Sequence, residues 1–197
     1  MINICVIPAR GRSKRIPKKN IKKFLGYPII KYTIKNALKS NLFDKIIVST
    51  DDKKIARLSQ RFGAEILIRS KKLSNDRTGM NEVVCNTIKY YEKHFKIKRV
   101  CCLYPTAVFC NIRMLKRAFK MLDKRTKYVF SITKFNHPIF RSFEIKKNKI
   151  SMIFPGKEKK RTQDFPKTFY DASQFYLGWK EAWKKHKSIF NAHSKFI

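Results

Sequence analysis

Short apolar runs alternate with amphipathic stretches along most of this chain. "INICVI" (2–7) is a short apolar run stopped by Pro8, the pattern of a buried strand. "PIIKYTIKNALKS" sets Ile29, Ile30, Thr33, Ile34, Ala37 and Leu38 on one helical face. "DKIIVST" reads as a second strand, and "DDKKIARLSQRFG" as a helix with an acidic start and Gly63 at its C-terminal end. "AEILIR", "RVCCLYP" and "KYVFSIT" are further strands, separated by the helical patterns "GMNEVVCNTIKYYEKHF" and "NIRMLKRAFKMLD". After about Lys134 the alternation stops. "PIFRSFEIKKNKISMIF" predicts two shorter strands around a polar "KKN" turn, and "DASQFYLGW" one more strand.

Strand and helix in turn from the first residue imply an α/β fold. The expected architecture is a doubly wound, mostly parallel sheet with helices on both faces. No repeat or low-complexity linker interrupts it, so residues 1–197 are expected to form a single domain. Ligands of such sheets bind beyond the carboxyl ends of the strands. The loops after Ile7, Thr50, Arg69 and Leu103 therefore share one rim.

The first of those loops carries candidate chemistry. "PARGRSKRIPKKN" (8–20) holds six cations and no carboxylate. Gly11 permits a tight turn whose backbone N–H groups could cradle an anion. Arg10, Lys14 and Lys19 could add charge-assisted bonds to phosphate oxygens. No GxxxxGK[ST] is present, so this is not a Walker A loop. Residue chemistry leaves two readings open, a polyphosphate site and a solvated basic loop.

Composition weakens the contrast between them. The 197 residues carry a formal charge of +34, with Lys and Arg spread from end to end. Such charge attracts polyanions non-specifically at low salt. Nucleic-acid-binding domains gather their cations on one stripe, and no RNP-like, helix-turn-helix or zinc pattern occurs. Nucleic-acid binding is thus the weaker alternative. Hydrophobic content of 43% excludes a disordered basic tail. Cys5, Cys85, Cys101, Cys102 and Cys110 form no CxxC pair and read as buried thiols of a reducing compartment. No signal-peptide pattern opens the chain, and no apolar stretch approaches the roughly 18 residues of a membrane span. The expectation is a cytoplasmic protein without membrane contact.

Six stretches resemble one family. "IPARGRSKRIPKKNIKKFLGYPII" is similar to the opening of the CMP-sugar-acid synthetases (cytidylyltransferases), IPARGGSKRIPxKNIxxFxGxPII. "LFDKIIVSTDDKKIA", "LSNDRTGMNEVV", "CCLYPTAVF", "VFSITKFNHPIFR" and "RTQDFPKTFYDASQFYLGW" resemble later family stretches in the same order. Within the family the likeness is greatest to the pseudaminic acid cytidylyltransferases.

The resemblance implies a nucleotide-diphospho-sugar transferase-like fold and a magnesium-dependent enzyme. CTP and a nonulosonic sugar acid would give the CMP-sugar and pyrophosphate, and a homodimer is among the expectations. Ala9, Arg10, Gly11, Ser13, Lys14, Lys19, Asn20 and Asp76 match nucleotide-contacting stretches. Lys19, Arg10 and Asp171 are the expected catalytic residues, with Asp171 also the metal ligand. Tyr104, Thr106, Arg161, Gln163, Gln174 and Tyr176 are the expected contacts to the sugar acid. His137 and His186 have no motif support.

The chain also departs from the family pattern. Arg12 stands where the family has Gly, which would strain the backbone if that position needs positive φ. Ser173 replaces a second Gly, and Val108 replaces a Pro. The family continues into a segment with paired carboxylates, and this chain is expected to end before it. A degenerate or truncated enzyme with little activity is therefore the alternative to an active one.

Overall fold

The computed structural model describes residues 1–13, 15–185 and 188–197. Its strands are β1 (Ile2–Pro8), β2 (Lys23–Phe24), β3 (Tyr27–Pro28), β4 (Lys45–Thr50), β5 (Glu65–Ile68), β6 (Ile97–Leu103), β7 (Tyr128–Lys134), β8 (Phe143–Lys146), β9 (Lys149–Met152), β10 (Phe169–Trp179) and β11 (Ser194–Phe196). The helices are α1 (Ile30–Ser40), α2 (Lys53–Arg61), α3 (Met80–Tyr91), α4 (Ile112–Met121) and α5 (Lys180–Lys184).

Seven strands form the main sheet in the order β11-β7-β10-β6-β1-β4-β5. β1 pairs in parallel with both β4 and β6, and β4 with β5. β10 runs antiparallel to β6. The mostly parallel sheet expected from the sequence is thus present, with one reversed strand inside it. The pairs β2–β3 and β8–β9 form small separate hairpins.

Period-two alternation divides the core. On β1, Cys5 and Ile7 face one layer, with Ile30 and Ile34 of α1, Ile55 of α2 and Leu115 of α4. Ile4 and Val6 face the other, with Val84 and Ile88 of α3 and Trp183 of α5. Strands buried on both faces read as continuous apolar runs. The helices start where their side chains can satisfy free amides. Asp52 accepts from Lys54 N and Ile55 N at 2.7 and 2.9 Å at the start of α2. Asn111 accepts from Met114 N at 2.9 Å at the start of α4. All five cysteines are free thiols, and only Cys85 is not fully buried. Burial raises the pKa of the Cys5 and Cys101 thiols well above the ordinary range.

By its contacts the chain divides into two compact units, Met1–Ser131 with Ser173–Ile197, and Ile132–Ala172. The second unit contains β8 and β9, joined by left-handed Lys147 and Asn148 (φ 48° and 61°). Two positive φ values in a two-residue loop match the twist of a hairpin. Its aromatic centre stacks Phe140 on Phe165 at 5.2 Å, and Phe135 lies 4.6 Å from Tyr170. No helix among the described residues is long and apolar enough to cross a membrane.

Candidate functional site

The rim expected to bind ligand holds a cavity of about 560 Å³. Pro8, Arg10, Ser13, Arg15, Lys19 and Asn20 line it from the loop after β1. Arg69 comes from the end of β5, and Tyr104, Pro105 and Thr106 from the end of β6. Asp76, Thr78, Gly79, Met80 and Val83 enter from the approach to α3, and Ser173 from β10. All of these residues belong to the first compact unit.

Short hydrogen bonds brace the basic loop. Buried Asn20 donates through Nδ2 to the Arg10 carbonyl at 2.9 Å. Arg10 Nη1 donates to Asp76 Oδ1 at 2.7 Å, tying this loop to the 75–78 turn. That turn is held by Asn75, whose Oδ1 accepts from Arg77 N and Thr78 N at 2.8 and 2.9 Å. Gly11 N donates to Asp51 Oδ1 at 2.9 Å, so this amide is engaged by a carboxylate. Gly11 does not have positive φ. Glycine is needed there for clearance, because a Cβ would lie 2.7 Å from Asp52 Oδ2, the side chain that caps α2.

The cations here are not ordinary surface charges. Burial, then the neighbouring Arg15 and Arg10 charges, lowers the Lys19 pKa. Arg69 is only 8% exposed. Burial lowers its pKa too, with Asp51 opposing and Arg10 reinforcing that shift. Its Nε and Nη2 have no hydrogen-bond partner among the described residues. A buried guanidinium with unsatisfied donors is costly unless an acceptor reaches it.

Arg10, Ser13, Lys19, Asn20, Asp76, Tyr104 and Thr106 are therefore brought together as the sequence suggested. Ala9 is fully buried and donates its N–H to the Ser49 carbonyl at 2.9 Å. Gly11 lines an adjoining groove with Arg12 and Ser13. Tyr176 is 3% exposed and packs edge-on against Tyr104 at 5.8 Å, behind the cavity wall. Gln174 supports the same wall, its carbonyl accepting from Tyr104 N at 3.0 Å. Arg161, Gln163 and Asp171 lie in the second unit, where Arg161 Nε pairs with Asp164 Oδ2 at 3.0 Å. Lys14 and His186 lie outside the described residues. The sequence reading missed Arg69 as a cavity-lining group, although it put the loop after Arg69 on the rim.

Of the two Gly departures, Arg12 has no positive φ, so the strain foreseen there does not arise. Ser173 does occupy the left-handed region, at φ 50°. No group of three or more His, Cys, Asp or Glu able to hold a metal exists among the described residues. Among the described residues the one carboxylate lining the cavity, Asp76, is paired with Arg10.

A second cavity, of about 710 Å³, opens at the other end of the sheet. Ile97, Trp179 and Ala182 form its floor, and Lys98, Lys124, Lys127, Lys180 and Lys185 surround it with Glu181.

The family model described as "Cytidylyltransferase" matches residues 4–197. The chain is 42% identical over 198 residues to the pseudaminic acid cytidylyltransferase of Campylobacter jejuni subsp. jejuni serotype O:2. That match covers 98% of this chain and 85% of the Campylobacter protein. A Helicobacter pylori protein, described as pseudaminic acid cytidylyltransferase and UDP-2,4-diacetamido-2,4,6-trideoxy-beta-L-altropyranose hydrolase, is 35% identical over 197 residues. There the match covers 97% of this chain and 37% of the relative. The solved structure of CMP:2-keto-3-deoxy-manno-octonic acid synthetase complexed with CTP matches with a TM-score of 0.70. It covers 93% of this chain and 76% of that one at 15% identity, a likeness of fold alone.

Proposed function

The chain belongs to the cytidylyltransferase family, and from that premise we propose that it transfers CMP from CTP to a pseudaminic-acid-like nonulosonic acid. Pyrophosphate is the second product. The observation that carries this reading is the cationic cavity, above all buried Arg69 with two donors unmatched among the described residues.

The strand order supports a layout. β5, β4, β1, β6 and β10 are successive neighbours, so Arg69 and Ser173 lie four strand spacings apart, about 19 Å. The loop after β1 lies between them. In this reading the triphosphate lies along Arg10, Arg15 and Lys19, the base extends towards Arg69, and the acceptor enters beside Tyr104 and Thr106. The anomeric oxygen attacks the α-phosphorus in line. The bond to the bridging oxygen breaks, pyrophosphate leaves with the electron pair, and the hydroxyl proton is released. Fixed cations stabilise charge that develops on the phosphoryl oxygens, and such transfer depends on positioning more than on covalent catalysis.

Magnesium is proposed only as a companion of the triphosphate. The described residues do not form a cage for it. Magnesium commonly takes most of its ligands from water and phosphate oxygens. Arg161, Gln163 and Asp171 remain proposed contacts to acceptor or metal. The free thiols support a reducing, cytoplasmic compartment. Self-association is supported by the apolar face of the β8–β9 hairpin, where Ile145 and Ile150 are cross-strand partners 73% and 66% exposed.

The test is pyrophosphate release from CTP or UTP with a panel of nonulosonic acids, with and without magnesium. Release dependent on CTP and on one acid is the expected result. CTP binding without release for any acid would overturn the transfer reading, and no CTP binding would overturn the site.

A further inference from the structure

Asp51 lies between the loop after β1 and Arg69, and it is not itself part of the cavity lining. β4 runs between β1 and β5 in the sheet. Its last residue, Thr50, pairs with Ile68 of β5, and the Arg69 amide donates to the Thr50 carbonyl at 2.8 Å. Asp51 and Arg69 therefore leave the sheet side by side, from strands about 4.8 Å apart. On the other edge of β4, Ser49 pairs with Pro8, where the basic loop begins.

The backbone on either side of Asp51 is fixed. Thr50 is fully buried, and its Oγ1 accepts from the Asp52 amide at 3.1 Å. Asp52 in turn caps α2. From this support Asp51 Oδ1 accepts from Gly11 N at 2.9 Å. Asp52 limits the same glycine by contact, since a Cβ would not fit beside its carboxylate. The residue that follows Arg10 is thus clamped by two successive carboxylates.

Arg69 meets Asp51 by charge and not by a hydrogen bond. Its Nε and Nη2 have no partner among the described residues, Asp51 included. Burial disfavours the charged guanidinium most, Asp51 favours it, and Arg10 disfavours it. Asp51 thus offsets both the burial of Arg69 and the repulsion from Arg10, and it leaves these donors to an incoming acceptor. A carboxylate bonded to them would compete with the ligand.

We propose that Asp51 is a positioning residue for the nucleotide. Its carboxylate holds the phosphate loop through Gly11 and supplies the countercharge that keeps Arg69 at the base end of the cavity. One side chain so sets the spacing between the two ends, and it touches neither the phosphates nor the base. This inference rests on the CTP reading above.

Two variants separate the charge from the hydrogen bond. Asp51→Asn keeps a side-chain oxygen for Gly11 and removes the charge, whereas Asp51→Ala removes both. Asp51 is exposed, so neither change opens a hole in the core. Calorimetry would measure binding of CTP, and of inorganic tripolyphosphate as a probe of the phosphate end alone. Asp51→Asn should weaken CTP binding about tenfold, as for one weakened contact to a charged group, and leave tripolyphosphate within twofold. Asp51→Ala should weaken both. In steady state Asp51→Asn should raise KM for CTP and leave kcat within twofold. In an Arg69→Met background Asp51→Asn should weaken CTP no further. CTP affinity in Asp51→Asn equal to or above that of the wild type would overturn the inference, because removing a negative charge beside a cationic cavity by itself tightens anion binding. An undiminished loss in the Arg69→Met background would overturn it too, since Asp51 would then not act through Arg69. No CTP binding by the wild type would overturn the nucleotide reading itself, and this inference with it.

Discussion

The two cavities at opposite ends of the sheet are both ringed with cations, yet they differ in kind. At the carboxyl ends of the strands the charges are held in place. Asn20 braces the Arg10 backbone, Asp76 holds the Arg10 guanidinium, and Arg69 is buried with donors still to be matched. At the other end Lys98, Lys124 and Lys185 are exposed. Lys180 is already paired with Glu181 at 3.1 Å. In a protein of net charge +34 a ring of lysines says little. Burial and fixed geometry distinguish a site from a solvated surface, because only a desolvated cation gains strongly from an incoming anion.

Exchanging charges between the ends should break the symmetry most visibly. Arg69→Met and Lys19→Ala should each weaken CTP binding by about 1.5–3 kcal/mol, or ~10- to 150-fold. Arg69→Met should also raise the melting temperature, because it removes a buried charge with unmatched donors. Lys98→Ala and Lys127→Ala should leave CTP affinity within twofold by calorimetry. A loss at Lys98 or Lys127 as large as at Lys19 would make the comparison void.

The converse experiment sits beside the second cavity. A Cβ at Gly178 would lie 2.6 Å from the Tyr128 ring, and Tyr128 is fully buried. Gly178→Ala should therefore cost about 1–3 kcal/mol of stability through overpacking. Urea unfolding measures that loss, and CTP affinity of the folded variant should not change.

The pH dependence has a definite sign. Burial lowers the Lys19 pKa below the ordinary 10.5 in the free protein, and a bound triphosphate favours the charged form. CTP affinity attributable to Lys19 is thus fully present below the free-protein pKa. It is lost as pH rises through that value, by at most about tenfold per pH unit for one proton. Lys19→Arg should flatten this decline, since Arg stays charged. An equally steep fall in the Lys19→Arg protein would assign the proton elsewhere.

The smallest effect concerns polyanions. Binding of mixed-sequence DNA should follow log K linear in log salt, and Lys98→Ala should reduce the slope by no more than about 0.9. A preferred sequence surviving at high salt would contradict the reading of this surface as diffuse charge.

The sequence carried the layers of the fold well, because strands buried on both faces and helices with one apolar face leave period signals that do not depend on partners. β1, β4, β6 and α1 to α4 match their patterns within a few residues. The reversed direction of β10 was not legible, since an apolar run has no arrow. The hairpin β2–β3 and the edge strand β11 are two and three residues long, too short for any period. At the site the loop after β1 announced itself by charge. Arg69 did not, because its significance arises from burial and from donors unmatched among the described residues, and both are tertiary facts. Gly11 was legible as necessary but for the wrong reason, since its clearance from Asp52 involves a residue 41 positions away.

The burial of the cysteines makes them a clock. Cys5 on β1 faces Cys101 on β6 in register, on the two strands whose ends carry the cavity. A thiol reagent that attacks thiolate reaches them only when those strands part, while half-buried Cys85 reacts ahead of them. The time course of labelling then times the opening of the sheet beneath the ligand. Saturating CTP should lengthen the slow phase and leave the fast one alone.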